Sequence, residues 1–352
     1  MPSLINVAGL TINAGEATDV SKVIIEKLFT DGILSEYHDI ETGVYYKMQI
    51  PFVNALQDSL VKAVGCTPAT SGGITMTEKF WEPEIFAARW EHCAADLNVL
   101  LKLFNEKSRI NPDFYDKIGS KELGLIIALI DRMLIEKIPA KVWFSDKVAA
   151  ITPGGAFKVG TNLALYNAID GLFKQIFAQI AVGNSNYVVI TQNAGANYAA
   201  QVLPVDAAYN YLQACFAAAD SRLLQDPSAM FQVTRSIADN YRSTLRNKTL
   251  GAGFRDTLEN GIEQLYFEGY KVAIRYDWDR EIKALFDNGV KVDKPHRIVF
   301  TTPANIPVAT ASVEDFETLT SFYDQYRKTN VIDVAFSLDT KLLEPYMAVA
   351  AY

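Results

Sequence analysis

Two hydrophobic periods run along this chain. From Tyr270 to Tyr276 the period is two. Tyr270, Val272, Ile274 and Tyr276 share one face, and Lys271, Ala273 and Arg275 share the other, which predicts a strand. Gly269 stands just before it, at a turn or bulge position. Asp277-Trp278-Asp279 ends the strand and caps a short helix carrying Ile282, Leu285 and Phe286, with Gly289 as its stop. A second strand opens at Pro295, with Ile298 and Phe300 on one face and Val299 on the other. The stretch from Leu265 to Val308 therefore builds a sheet and a turn, and gathers no nucleophile, metal cage or phosphate cradle.

Helical spacing dominates elsewhere. Met1 to about Ile40 reads as an arm with one amphipathic helix. Thr18 or Asp19 caps it, Val23, Ile24, Leu28 and Phe29 form its stripe, and Asp31-Gly32 stops it. Glu41 to Phe80 is different. Tyr45, Lys47 and Gln49 alternate with Tyr46, Met48 and Ile50, breakers follow at Pro51, Pro68 and Ser71-Gly72-Gly73, and Ile74 to Phe80 returns as extended chain. Such a hairpin-like excursion buries little within its own chain, which hints at partners.

The longest helical signal starts at Glu82-Pro83-Glu84 and runs to Arg109, with Phe86, Trp90, Cys93, Leu97 and Phe104 in one stripe. Ser120 to Lys137 predicts a second, buried helix, ended by Pro139. Thr152-Pro153-Gly154-Gly155 and Gly160 mark a subdomain boundary. Beyond it, helices are predicted over Ala168–Ile180, Pro204–Asp220 and Ser312–Lys328, and strands over Tyr187–Thr191 and Met230–Thr234. A further helix carries Ile237, Tyr241 and Leu245, with Ser236 and Asp239 as a capping box. In the last strand Ile332, Val334, Phe336 and Leu338 alternate with Asp333, Ala335 and Ser337.

Bulk composition narrows the function. The chain has 352 residues, 49% hydrophobic and 21% charged, which fits a folded protein of two or three subdomains. Its net charge of −8 argues against a broad basic grip on nucleic acid, although not against enclosing it. Three cysteines, Cys66, Cys93 and Cys215, are too few and too scattered for a disulfide framework. The N-terminus lacks a signal-peptide pattern, and no run is apolar enough to span a bilayer.

Candidate chemistry is sparse. His92 and Cys93 are adjacent, so on a helix they point about 100° apart and cannot clamp one metal alone. His296, at a strand start, reads as a surface or interface residue, and His38 is the remaining histidine. The sharpest enzymatic lure is Asp277 with Asp279. Two carboxylates spaced this way after a strand hold a divalent metal in many nucleotide-sugar transferases. That chemistry needs a nucleotide-binding βαβ half upstream, where this chain instead predicts an arm and two long helices. The Gly72-Gly73 and Gly154-Gly155 pairs lack the spacing of phosphate loops. Arg235, Arg242, Arg246 and Lys248 form a modest basic cluster near one helix, suited to a solvated face, a neighbour's carboxylates or enclosed DNA.

The order of parts, an arm, an extended two-stranded loop, a long helix and a mixed domain closed by strands, resembles the tailed-bacteriophage major capsid protein fold, shared with encapsulin shells. Tyr266 to Tyr276 with Trp278, Pro295 to Ala309 with Thr301-Thr302 and Asn305-Ile306-Pro307-Val308, and Thr329 to Leu338 resemble late strands and turns of that family. Asn167-Ala168-Ile169-Asp170-Gly171-Leu172 is similar to capsid proteins of gut-bacterial phages. The resemblance implies an α+β chain divided into an N-terminal arm (1–40), an E-loop (41–80), a spine helix and peripheral domain (81–160), an axial domain (161–262), and axial and peripheral strands with C-terminal closure (263–352). It implies a non-enzymatic shell protein with no catalytic, cofactor or metal residues. Its copies would assemble as hexamers and pentamers in the host bacterial cytoplasm, to form a virion enclosing DNA without sequence-specific binding or any membrane. Scaffold, portal or decoration proteins are the further partners it suggests, and an encapsulin-type compartment is the rival within the same fold.

Overall fold

The structure is a computed structural model that describes residues 33–50, 79–92, 121–149, 157–247, 255–257, 263–311, 320–324 and 329–352. The chain enters through α1 (Ile33–Tyr37) and β1 (Ile40–Glu41), then β2 (Met48–Ile50) and β3 (Lys79–Trp81), which pair antiparallel. β4 (Glu84–His92) and the long helix α2 (Lys121–Phe144) follow. Next come α3 (Leu172–Ala181), β5 (Asn186–Val188), α4 (Ala207–Ala218), α5 (Ser221–Gln225), β6 (Met230–Val233) and α6 (Arg235–Asn247). The remainder is β7 (Arg255–Thr257), β8 (Glu263–Phe267), β9 (Tyr270–Ile274), α7 (Tyr276–Phe286), β10 (Ile298–Thr301), β11 (Val308–Ala309), β12 (Thr320–Asp324), β13 (Thr329–Thr340) and β14 (Val349–Ala351).

A seven-stranded mixed sheet, ordered β5-β14-β10-β6-β9-β8-β7, organises the larger half. Strand alternation sends neighbouring side chains into different cores. Ile298 and Phe300 of β10, with Val349 and Ala351 of β14, face a core completed by Leu212 of α4 and by Ile237, Tyr241 and Leu245 of α6. Val299 and Ala350 face the opposite core, built on Val142 and Trp143 of α2, Phe173 and Ile176 of α3, and Trp278 and Ile282 of α7. Both faces of the central strands are thus covered, and every residue of β6 and β10 is buried. The predicted alternation holds over Tyr270–Ile274, where Tyr270, Val272 and Ile274 pack in the first core. The strand stops there: Arg275 turns toward Gln232, Tyr276 is exposed and opens α7, and Asp277 and Asp279 lie in its first turn rather than ending the strand and capping the helix. Glu268 and Gly269 both take positive φ, 49° and 86°, as a two-residue turn joining β8 to β9 requires.

A second sheet runs β1-β11-β13-β12, with β4 also pairing β13. Here two expectations fail. The 82–109 helix begins instead as a strand: β4 lies antiparallel to β13 over nine paired positions, Glu84↔Leu338 to His92↔Asn330. Phe86, Ala88 and Trp90 are half-buried while Ile85, Ala87 and Arg89 are exposed, a period of two hidden within a sequence that also fits helical spacing. The Phe86 and Phe336 rings stack at 5.5 Å. Within the predicted 312–328 helix, Thr320–Asp324 is also a strand, paired with the near side of β13. The long ladder of β13 supplies hydrogen bonds that local helical preference cannot match.

The buried second helix is present, but Pro139 does not end it. α2 continues to Phe144 because Ile138, Val142, Trp143 and Phe144 are all buried, and this packing outweighs the hydrogen bond that proline removes. Glu281 of α7 ties the helices together. Its buried carboxylate accepts from Lys137 Nζ at 2.7 Å and Tyr166 Oη at 2.9 Å. The predicted stripe of 18–32, the hairpin tip of 51–78, the glycine pairs, Cys66 and Cys93 lie outside the described residues. Among the described residues no helix is long and apolar enough to cross a membrane.

Candidate assembly site

β2 and β3, which flank residues 51–78, are firmly held against the body. Val44, Ile50, Trp81 and Ala309 form a small buried cluster, with Leu343 against it. Lys79 reaches from β3 to the carbonyls of Leu342, at 2.8 Å, and Leu343. Burial lowers the pKa of its ammonium, and the Glu344 carboxylate works against that shift. Asp339 Oδ2 accepts from the backbone N–H of Glu82 at 2.7 Å, while Lys341 lies 3.4 Å from the same oxygen. Glu82 in turn takes Lys47 at 2.7 Å, which holds its carboxylate below the usual range. Two backbone carbonyls and one buried carboxylate therefore fix β3, and β2 is held by pairing with it. Around these strands Tyr45, Tyr46 and Ile85 are exposed, Ile85 by 75%. Isolated exposed apolar residues are ordinary; three on the segments that flank the paired β2 and β3 suit a contact surface.

The root of the N-terminal arm is held as firmly. Leu34 of α1 is buried in the α2–α7 core, and β1 pairs parallel to β11. Trp143 Nε1 donates to His38 Nε2 at 3.1 Å, so His38 Nδ1 carries the proton and donates to Ile306 O at 2.8 Å. Burial first, and then the Arg275 cation, push the His38 pKa down to about 3. Arg275 is itself buried. It forms a two-pronged pair with Asp277, at 2.6 and 2.9 Å, donates to Gln232 Oε1, and packs 4.5 Å from the Tyr37 ring and 5.0 Å from Trp278.

This knot disposes of the metal reading of Asp277 and Asp279. Asp277 is spent on Arg275. Asp279 accepts from the backbone N–H of Arg235 at 2.9 Å and so caps the start of α6. Burial raises its pKa to about 6. Two positions apart in the first turn of α7, the two carboxylates leave on different sides of the helix and go to different partners, and among the described residues no group of three or more His, Cys, Asp or Glu could hold an ion. The nucleotide-sugar transferase alternative is set aside on this geometry. The capping box of Ser236 and Asp239 is likewise replaced: Ser236 Oγ bonds His296 Nδ1 at 2.7 Å, and Asp239 pairs with Arg235 and Arg242. His296 is buried rather than superficial, and its Nε2 lies 2.6 Å from Gln201 O. His92 lies in β4, not on a helix. Cys215 is buried in α4, and burial pushes its thiol up to about 12. Lys79, Asp339 and Arg275 went unnoticed as site residues, although a charged Arg275 alternating inside an apolar strand was a legible signal.

Neither a protein-family model nor a curated protein matches the chain. Solved structures do. A chain of the satellite phage P4 procapsid, solved with its size determination protein, aligns over 98% of this chain and 93% of its own, at 10% identity and a TM-score of 0.52. The holo-SrpI encapsulin complex from Synechococcus elongatus PCC 7942 aligns over 90% of this chain and 85% of its own, again at 10% identity, with a TM-score of 0.50. A procapsid and an encapsulin, each matched over nearly the whole chain, share this order of elements. The chain has the α+β major capsid fold common to tailed phages and encapsulins.

Proposed function

We propose that the protein is the repeating tile of an icosahedral phage shell, assembling with itself into hexamers and pentamers around DNA. The observation that carries this reading is a whole-chain likeness to a procapsid subunit combined with a rigid hairpin root. In this reading 41–80 is an E-loop and 1–40 an arm, both clasped by neighbouring copies. Each contact would bury apolar area that a lone monomer exposes, at about 25 cal/mol per Å², and interfaces of roughly 1,000 Å² or more would make closure cooperative. No step of this function needs a catalytic group. Scaffold, portal and decoration proteins are its natural further partners, and a virion formed in the bacterial cytoplasm its location.

The encapsulin likeness supports a second reading, a compartment around a protein cargo. Expression of the chain followed by electron microscopy tests both. Closed particles support a shell, and a persistent monomer at high concentration overturns it. Particles purified from the native source then separate the two readings: DNA inside favours the phage shell, and a protein cargo without DNA favours the compartment.

A further inference from the structure

We propose that the cavity beside Arg297 binds a small monocarboxylate with an aromatic body. The cavity measures about 380 Å³ and opens between α2, α3, α7 and the segment entering β10, a volume in the range of small-molecule sites. Arg297 is 2% exposed. Its guanidinium carbon stands 4.4 Å from the Phe173 ring, 5.2 Å from Phe286 and 5.5 Å from Phe144. Its Nε donates to Lys294 O at 3.0 Å, while its terminal nitrogens meet no acceptor among the described residues. Asp293 lines the same cavity and attracts both Arg297 and Lys294, but stands beyond ion-pair contact, so the fork itself touches no carboxylate.

A second polar group in the wall is also unmatched. Ser145 lines the cavity, and its buried Oγ has no partner among the described residues. Lys294 Nζ lies 4.7 Å from the rings of Phe177 and Tyr352, with no carboxylate paired to it. Lys174, by contrast, is already engaged by Asp146 and by Asp170 at 2.8 Å. A buried guanidinium whose fork makes no hydrogen bond is costly, and that fork matches the two oxygens of a carboxylate. The ring-lined wall receives an apolar body. A phosphate would lay its remaining charged oxygens against those rings, at a desolvation cost. The inference does not depend on the shell reading.

Calorimetric titration of the full chain with phenylacetate, phenylacetamide and inorganic phosphate tests it. Phenylacetate should bind with Kd below about 1 mM. The amide should bind at least about tenfold more weakly, because it brings no charge to the fork. Phosphate should give no saturable heat. Arg297→Lys, which keeps the charge but loses the fork, should weaken phenylacetate about tenfold. Lys294→Met, at a half-buried position that tolerates change, should weaken it several-fold and keeps the test open if Arg297→Lys misfolds. No saturable binding of phenylacetate, equal binding of the amide, tighter binding of phosphate, or affinity unchanged in Lys294→Met would each overturn the proposal.

Discussion

At the scale of single residues, two buried groups govern stability in ways that can be measured. His38 is neutral when folded, with a pKa near 3 against about 6.5 when unfolded. The unfolded chain therefore takes up a proton first as pH falls. The stability from His38 is complete above about 6.5 and is lost progressively toward about 3. Asp279, raised to about 6, acts in the opposite sense, costing stability as pH rises from about 4 to 6. Comparing the wild type with His38→Asn cancels that second effect. Urea unfolding between pH 7 and 4.5 should show the wild type losing about 2 kcal/mol more than the variant, and equal slopes would contradict the assignment. Arg275 offers the second measurement. Arg275→Met strands the Asp277 carboxylate and the Gln232 carbonyl inside the protein, at a cost of about 3–5 kcal/mol. Arg275 also packs on the Tyr37 ring, so limited proteolysis should find 33–40 more accessible in this variant.

At the scale of elements, β13 decides more than any local preference. It pairs with β4, β12 and β11. Phe86→Ala removes the ring stacked on Phe336 and should destabilise by about 2 kcal/mol, the lower range for a half-buried aromatic. Ile85→Lys, one residue away but pointing outward, should change monomer stability by less than about 0.5 kcal/mol. That pair of results is what the alternating faces of β4 require. The same logic explains α2. Pro139 was a sound stop signal locally, yet the buried turn that follows it holds the helix together. The strands at 270–274 and 298–301 were legible because their turn chemistry, alternation and final burial agree. The segments 84–92 and 320–324 were not, since aromatic residues spaced to suit either period leave the choice to a distant partner.

At the scale of the whole molecule, charge and the proposed E-loop set the behaviour expected of a tile. With a net charge of −8, copies repel one another at low salt. If the shell reading holds, raising NaCl from about 20 to about 150 mM should speed particle formation, followed by light scattering, as the screening length contracts toward about 8 Å. Replacing 51–78 with a short Gly-Ser linker should spare the fold, because the root is held by Lys79, Glu82 and Asp339 within the body. The same deletion should abolish closed particles in electron microscopy. Normal shells from it would remove the hairpin from the assembly contact.

The sequence alone determined the alternating strands of the central sheet and the buried character of the long helix. Each follows from local period, from turn residues or from composition, which neighbouring positions carry by themselves. Only the tertiary structure decided that Glu84–His92 is a strand, that α2 passes through Pro139, that Asp277 and Asp279 serve different partners, and that Arg297 faces a cavity. Those outcomes depend on residues tens to hundreds of positions apart, whose hydrogen bonds and packing outweigh the weak preferences of any short segment.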